Sequence, residues 1–338
     1  MPREKITSQQ VAERAGVSQS AVSRVFSGAS ASQATVKKVR KAAEELGYRP
    51  NVLARSLITG RSRIIGLVVA YLENQFYPDA LERLSNALQA RGYHILIFTA
   101  SGRGEGVDTV IAEIMDYQVD GIITASVGVS DKLTSRCEAA GIPVVLFNRG
   151  QDDPRLAEVT SDNRKGAQKV AEFLVAGGHR RIAHISGWQG SSTGRDRAAG
   201  FREGLARAGM TPSLQVDGHY RRETAAAAAL EMCRGPDRPD AIFVGNDHMA
   251  FGVIDALRFD LGLRVPEDVS VVGYDDVPMA AWPAYKLTTL RQPSGRMVAA
   301  TVETLLNRIE NPGAGIEKIK IDGPLIVRDS ARKPETWP

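Results

Sequence analysis

Cysteine is nearly absent from this chain: Cys137 and Cys233 are the two among 338 residues, far apart and outside any Cys-x-x-Cys or Cys/His cluster. That excludes a disulfide-stapled fold and fits two structural thiols in a reducing cytosol. No run of about 18 apolar residues occurs, and the opening Met-Pro-Arg-Glu-Lys lacks a leader's apolar stretch. Neither membrane insertion nor secretion is therefore expected, and a cytoplasmic location is. G-x-S-x-G, Walker A and H-E-x-x-H are all missing, so no enzyme signature stands out. Gly102, Gly104 and Gly106 resemble a dinucleotide fingerprint, but Val107 takes the place where the third glycine of G-x-G-x-x-G belongs. The five histidines are scattered without metal-ligand spacing. No cofactor and no metal are expected. What remains is an ordinary globular composition, 43% hydrophobic and 24% charged, with length enough for two or three domains.

Acidic residues are scarce in one place. Residues 1–63 hold twelve Lys and Arg against four Glu, a net of +8, whereas the remainder holds 31 against 35, a net of −4. A basic head on an acidic body points to a polyanion-binding module joined to something else. The bland alternative, a solvated basic tail, should lack apolar periodicity and caps. This segment has both. Thr7-Ser8-Gln9-Gln10 reads as a capping box, Val11, Ala12 and Ala15 form an apolar face, and Gly16 stops the helix. Ser18 caps a second helix whose Ala21, Val22 and Val25 face inward, leaving Gln19, Ser20, Ser23 and Arg24 outside. Ser32 caps a third, in which Val36, Val39, Ala43 and Leu46 pack before Gly47 ends it. Helix, short turn, helix with Ala and Gly at the crossing is the helix-turn-helix pattern, and its second helix carries side chains of the kind that read bases.

Residues 6–25, ITSQQVAERAGVSQSAVSRV, and 44–57, EELGYRPNVLARSL, resemble the DNA-binding head of the lactose-repressor (LacI/GalR) family of bacterial transcription regulators. The resemblance extends over essentially the whole chain. It implies that Gln19, Ser20 and Arg24 reach base edges in the major groove, and that Thr7, Ser18 and Ser23 hold phosphates. The family often has asparagine where this chain has Ser27. Asn51, Ala54 and Leu57 match a hinge helix that forms on operator DNA, two of them lying together in the minor groove with the residue matching Leu57 wedged between base pairs. A helix this short is unstable alone in water, which fits formation only against DNA and a partner.

The acidic body alternates strand and helix patterns. Residues 64–69, IIGLVV, form a near-continuous apolar run suited to a buried parallel strand. Residues 76–90 read as a helix, and further strands are expected at 94–98, 121–124, 144–147, 182–186, 241–245 and 269–273. So many strands suit two doubly wound α/β lobes, whose ligands bind beyond the carboxyl ends of the strands. Polar groups cluster at such ends: Asn148-Arg149, Arg195-Asp196-Arg197, Asn246-Asp247 and Tyr274-Asp275-Asp276.

The resemblance completes the expectation. It implies a small all-α helix-turn-helix head, 1–49, a hinge helix and linker, 50–62, and an α/β periplasmic-binding-protein-like body, 63–338, of two doubly wound parallel-sheet lobes. The N-lobe takes about 63–162 and 293–322, the C-lobe about 163–292 and 323–338. Arg197, Asn246 and Asp275 match positions that hold the effector, with Phe76, Tyr77, Ser126, Asn148, Trp188 and Tyr220 as wall residues. Asp247 and Asp276 read as caps or hinge-holding groups. The expected partners are double-stranded, palindromic operator DNA, a small-molecule effector, most simply a sugar or sugar derivative, and a second copy of the chain. The N-lobe supplies most of the dimer surface, and the tail at 328–334 carries no leucine-heptad segment of the tetrameric members. A two-lobed dehydrogenase and a pure sugar-binding protein are the competing classes. The imperfect glycine fingerprint opposes the first; the structured basic head and absent leader oppose the second.

Overall fold

A computed structural model describes residues 6–27, 30–49, 60–100 and 105–337. Asn51, Ala54 and Leu57, like Gly102 and Gly104, lie outside these residues. The chain divides into two units, Met1–Arg63 and Ile64–Pro338.

The capping box at Thr7 is formed: the Gln10 amide donates to Thr7 Oγ1 at 3.3 Å, and Gln10 Oε1 accepts from the Thr7 amide at 2.8 Å. It starts α1 (Ser8–Ala15), which Gly16 ends at φ 65°. Ser18 Oγ accepts from the Ala21 amide at the head of α2 (Gln19–Ser27). Ser32 caps α3 (Gln33–Leu46), closed by Gly47 at φ 67°. Each cap gives otherwise orphaned backbone amides a partner, about 1 kcal/mol apiece. Val11, Ala12, Val22, Val39, Ala42 and Ala43 make the small core. Val36 and Leu46 are only half-buried, and Ala42 takes the inward place between them.

The second unit contains two six-stranded sheets. The first has the order β11-β5-β4-β3-β1-β2, from β1 (Ile64–Val69), β2 (His94–Thr99), β3 (Gly121–Ala125), β4 (Val144–Phe147), β5 (Ala157–Ser161) and β11 (Lys318–Ile321). Its pairings are all parallel. The second has the order β12-β10-β9-β8-β6-β7, from β6 (Ile182–Ser186), β7 (Gln215–Asp217), β8 (Ala241–Val244), β9 (Ser270–Asp275), β10 (Thr288–Arg291) and β12 (Leu325–Ile326). Only β12 runs antiparallel, on the edge. Helices α4 (Phe76–Gln89), α5 (Glu105–Asp116) and α6 (Asp131–Ala139) connect strands of the first sheet; α7 (Asn163–Ala176), α8 (Ser192–Ala206), α9 (Arg222–Cys233) and α10 (Asp247–Asp255) precede or connect those of the second. The last, α11 (Ser294–Glu310), returns to pack on α4, β4 and β5. The chain thus passes between the sheets three times: after β5, before α11 and before β12.

The strands predicted from apolar runs are present, with β9 extending to Asp275. Strands β5, β7, β10, β11 and β12 were not foreseen. β5 reads AEVTS, yet it is buried throughout because Glu158 accepts from the Gln151 amide and faces Lys318 at 3.8 Å. β11 reads KIKI, half of it exposed on an edge. Both cysteines are buried and unpaired, and burial pushes the Cys233 thiol up to about 11, which keeps it protonated and inert. Among the described residues, no helix is long and apolar enough to cross a membrane.

Candidate functional site

The carboxyl ends of both sheets meet across a cleft, and the backbone there departs from ordinary strand geometry. Ser126 just after β3, Asn148 just after β4 and Asp275 at the end of β9 have φ of 68°, 70° and 141°. Tyr220 on the loop before α9 has φ 59°. Such conformations cost of order 1–3 kcal/mol and persist where packing enforces them; asparagine tolerates them best.

Arg197, one turn into α8, is 3% exposed. Its Nε donates to Asn163 Oδ1 at 2.8 Å and its Nη1 to the Gly245 carbonyl at 2.6 Å. The guanidinium lies over the Tyr274 ring, 3.6 Å from its centroid, and 3.7 Å from Asp275 Oδ1. Asp275 accepts from Gln292 Nε2 at 2.7 Å and, across the cleft, from Asn74 Nδ2 at 3.3 Å. Burial pushes its carboxyl up, and Arg197 opposes that push. Asp247, first residue of α10, is also raised by burial and by the charge of Asp275. It accepts from the Val277 amide and the Thr289 hydroxyl, tying α10 to β10. Asp276 is gripped by Arg291 and Arg328, each at 2.6 Å. These two acids hold the strand ends in place.

An inner cavity of about 30 Å³ brings together Tyr77, Asn148, Arg197, Tyr220, Asn246 and Asp275. Asn246 caps α10 by accepting from the Met249 amide, and Asn148 Nδ2 donates to the buried Tyr77 hydroxyl at 2.9 Å. Tyr220 donates to Thr193 Oγ1 at 3.0 Å. Ser126 and Trp188 are not on this cavity; they line an adjoining cleft of about 640 Å³. Phe76 is buried against Phe147, ring centroids 6.1 Å apart, behind the cavity. The sequence reading missed five lining residues: Tyr71, Glu73, Asn74, Thr193 and His248. The first three follow β1 directly, so the strand-end rule itself could have found them. His248 is half-buried, and burial holds it below the usual histidine range, so it lines the cavity as a neutral ring at neutral pH.

Gly187 fixes how closely Tyr220 approaches, because a Cβ there would stand 2.0 Å from the ring's Cζ. Gly187→Ala is expected to turn Tyr220 out of the cavity at a cost of about 1–3 kcal/mol in stability. A thermal melt with unchanged midpoint would contradict that packing.

In the head, Gln19, Ser20, Ser23 and Arg24 are exposed on α2. Thr7 and Ser18 are exposed and occupy helix N-caps, where backbone amides favour anions such as phosphate. Gln19 Nε2 donates to Ser8 Oγ at 2.9 Å, orienting its amide between the two helices. Arg14 and Glu45 pair at 2.8 Å and join α1 to α3.

Residues 7–51 match the model of bacterial regulatory proteins, lacI family, and residues 171–331 that of a periplasmic binding protein-like domain. The chain is 31% identical over 331 residues to the HTH-type transcriptional repressor PurR of Vibrio vulnificus, covering 97% of this chain and 99% of the relative. It is 30% identical over 338 residues to the probable HTH-type transcriptional repressor ExuR of Bacillus subtilis, covering 97% and 99%. Its fold matches the lac repressor dimer bound to operator and the anti-inducer ONPF with a TM-score of 0.87 at 28% identity, covering 97% of this chain and 99% of that one. It matches the transcriptional regulator CelR in complex with cellobiose with a TM-score of 0.72 at 33% identity, covering 96% and 100%.

Proposed function

Because the chain belongs to the lacI family of bacterial regulatory proteins, we propose that it represses transcription by binding a palindromic operator as a homodimer, and that a sugar or sugar derivative in the interlobe cleft switches it. One observation carries the reading. Arg197, Asn246 and Asp275 converge, buried, on a cavity that residues of both sheets enclose. A ligand there bridges the lobes, so it binds their closed arrangement better than an open one and shifts the population between them. The spacing of the two hinge segments in a dimer follows, and with it the fit of two heads to two half-sites.

The head supplies the reading residues. Gln19, Ser20 and Arg24 contact base edges, Thr7, Ser18 and Ser23 hold phosphates, and Asn51, Ala54 and Leu57 enter the minor groove at the dyad. Phosphate contacts by so basic a segment supply affinity; the α2 side chains supply selectivity. Homodimerisation draws support from the N-lobe edge. There β2 is the edge strand among the described residues, and Ile97 on it and Tyr117 beside it are 53% and 54% exposed. An apolar edge strand of that kind invites a covering partner.

The test is selection of bound duplexes from a random pool with the full-length protein. Two-fold-symmetric sites occupied by two chains, and released or tightened by a sugar, are expected. Asymmetric sites bound by one chain would overturn the dimer. Within that assay, Arg24→Ala is expected to lower discrimination between selected and random duplex by about 1–3 kcal/mol. An unchanged ratio would remove Arg24 from base reading.

A further inference from the structure

The inner cavity and the wider cleft beside it share two lining residues, Tyr71 and Arg149. Arg149 follows Asn148 at the end of β4. Its Nη1 donates to the Ser126 carbonyl at 2.6 Å, and its Cζ lies 5.3 Å from the Tyr71 ring centroid and 5.6 Å from that of Tyr220. Its Nε is buried without a hydrogen-bond partner. Among the described residues no ion pair answers its charge, whereas Arg197 has Asp275 at 3.7 Å. Beside it, Asn148 is 4% exposed and its Oδ1 is likewise buried and unpartnered.

An unanswered guanidinium between two rings, one from each lobe, is costly to enclose. Arg149 is half-buried as it stands, and cation–π contact returns less than full desolvation of its charge would ask for. The same group offers a planar fork that suits carboxylate and phosphate oxygens. Further along the wider cleft, Arg195 on the first turn of α8 is exposed and has no ion-pair partner among the described residues. Of the acids in these walls, Glu73 and Asp152 are exposed, and Asp108 accepts from the Ser130 hydroxyl at 2.6 Å.

Resting on the reading of this cleft as the effector site, we propose that the effector is an anionic sugar, and that Arg149 is the residue that selects for its carboxylate or phosphate. The hydroxyl-bearing part faces Arg197, Asn246 and Asp275, while the anionic group lies toward Arg149 with Arg195 behind it. The anion supplies the partner that Arg149 lacks, so it favours closure of Tyr220's lobe onto Arg149. A neutral sugar of the same shape leaves that charge unanswered.

The test uses the full-length protein and a panel of hexoses, each as the neutral sugar, the uronate and the 6-phosphate, read by thermal shift and calorimetric titration. One anionic form is expected to bind at least tenfold more tightly than its neutral parent, and the uronate and phosphate arms identify which anion. Arg149→Gln should weaken that form about 10- to 100-fold, the span of one or two charge-assisted hydrogen bonds, and narrow its advantage over the parent. Arg149→Lys should restore part of it, and the exposed Arg195→Gln should cost severalfold. A neutral hexose binding as tightly as its anionic forms, in wild type and Arg149→Gln alike, would overturn the selection by charge and leave the sugar site standing. Saturating panels that shift neither melt nor heat would overturn both.

Discussion

Arg197→Ala is expected to abolish the effector-dependent change in operator affinity and to lower the unfolding free energy of the two-lobed unit by about 3–5 kcal/mol. The size follows from what the side chain answers. Asn163 Oδ1 and the Gly245 carbonyl each lose a charged donor, the Tyr274 ring loses its cation, and Asp275 is left buried without its positive neighbour. Removing one member of a buried pair costs more than the pair was worth, because the other member remains desolvated. Arg197→Lys keeps the charge but cannot span both acceptors and lie flat on Tyr274, so an intermediate loss is expected. Denaturant unfolding gives the stability, and operator titration with and without effector gives the response. A full effector response in Arg197→Ala would dismiss Arg197 from the site.

Asp247→Asn is expected to act in the opposite direction and raise stability at pH 8. Burial, with the neighbouring charge of Asp275 adding to it, lifts the Asp247 carboxyl above the ordinary carboxylate range. For a group raised on folding, its contribution to stability is complete below the unfolded pKa and is lost as pH rises through the folded one. The contribution of Asp247 and Asp275, which titrate as a pair, therefore falls from mildly acidic toward alkaline pH. The asparagine variant removes Asp247 from that titration. Its carbonyl can still accept from the Val277 amide, and the Thr289 hydroxyl can turn to accept from its amino group. A gain of about 1 kcal/mol or more, near 2 °C in the melting midpoint for a unit of this size, should appear at pH 8 and fade in acid. Lower stability at pH 8 would show instead that the two donors hold the carboxylate ionised.

How much of this was legible in the sequence depended on whether a residue's neighbours are local. The caps at Thr7, Ser18 and Ser32 are local events within four residues and could be read directly. So could IIGLVV and AIFV, because a strand covered on both faces must be apolar at every position. AEVTS could not, since burying Glu158 depends on Lys318, 160 positions away in the chain. The same holds in the cleft. That Asp275 and Asn74 meet is a fact of two lobes closing, 201 residues apart. Arg197, Asn246 and Asp275 were nominated by resemblance and by their places near strand ends. Tyr71, Glu73 and Asn74 sit at such a place too, yet only the structure brings them to the cavity. Phe76 matched a wall position, while its ring packs behind the wall on Phe147.

The threefold passage of the chain between the sheets has a consequence for synthesis. The first lobe has five of its six strands once residue 161 has been made, yet α11 and the edge strand β11 arrive only with residues 294–321. Until then β5 presents an open edge, and α4 with β4 and β5 lacks the helix that covers them. At about 5–20 residues per second, the nascent chain spends on the order of ten seconds or more in that half-roofed state. The head closes its own small core from residues 6–48. A polypeptide interrupted before residue 294 would thus carry a closed head on a lobe that lacks its last helix and edge strand.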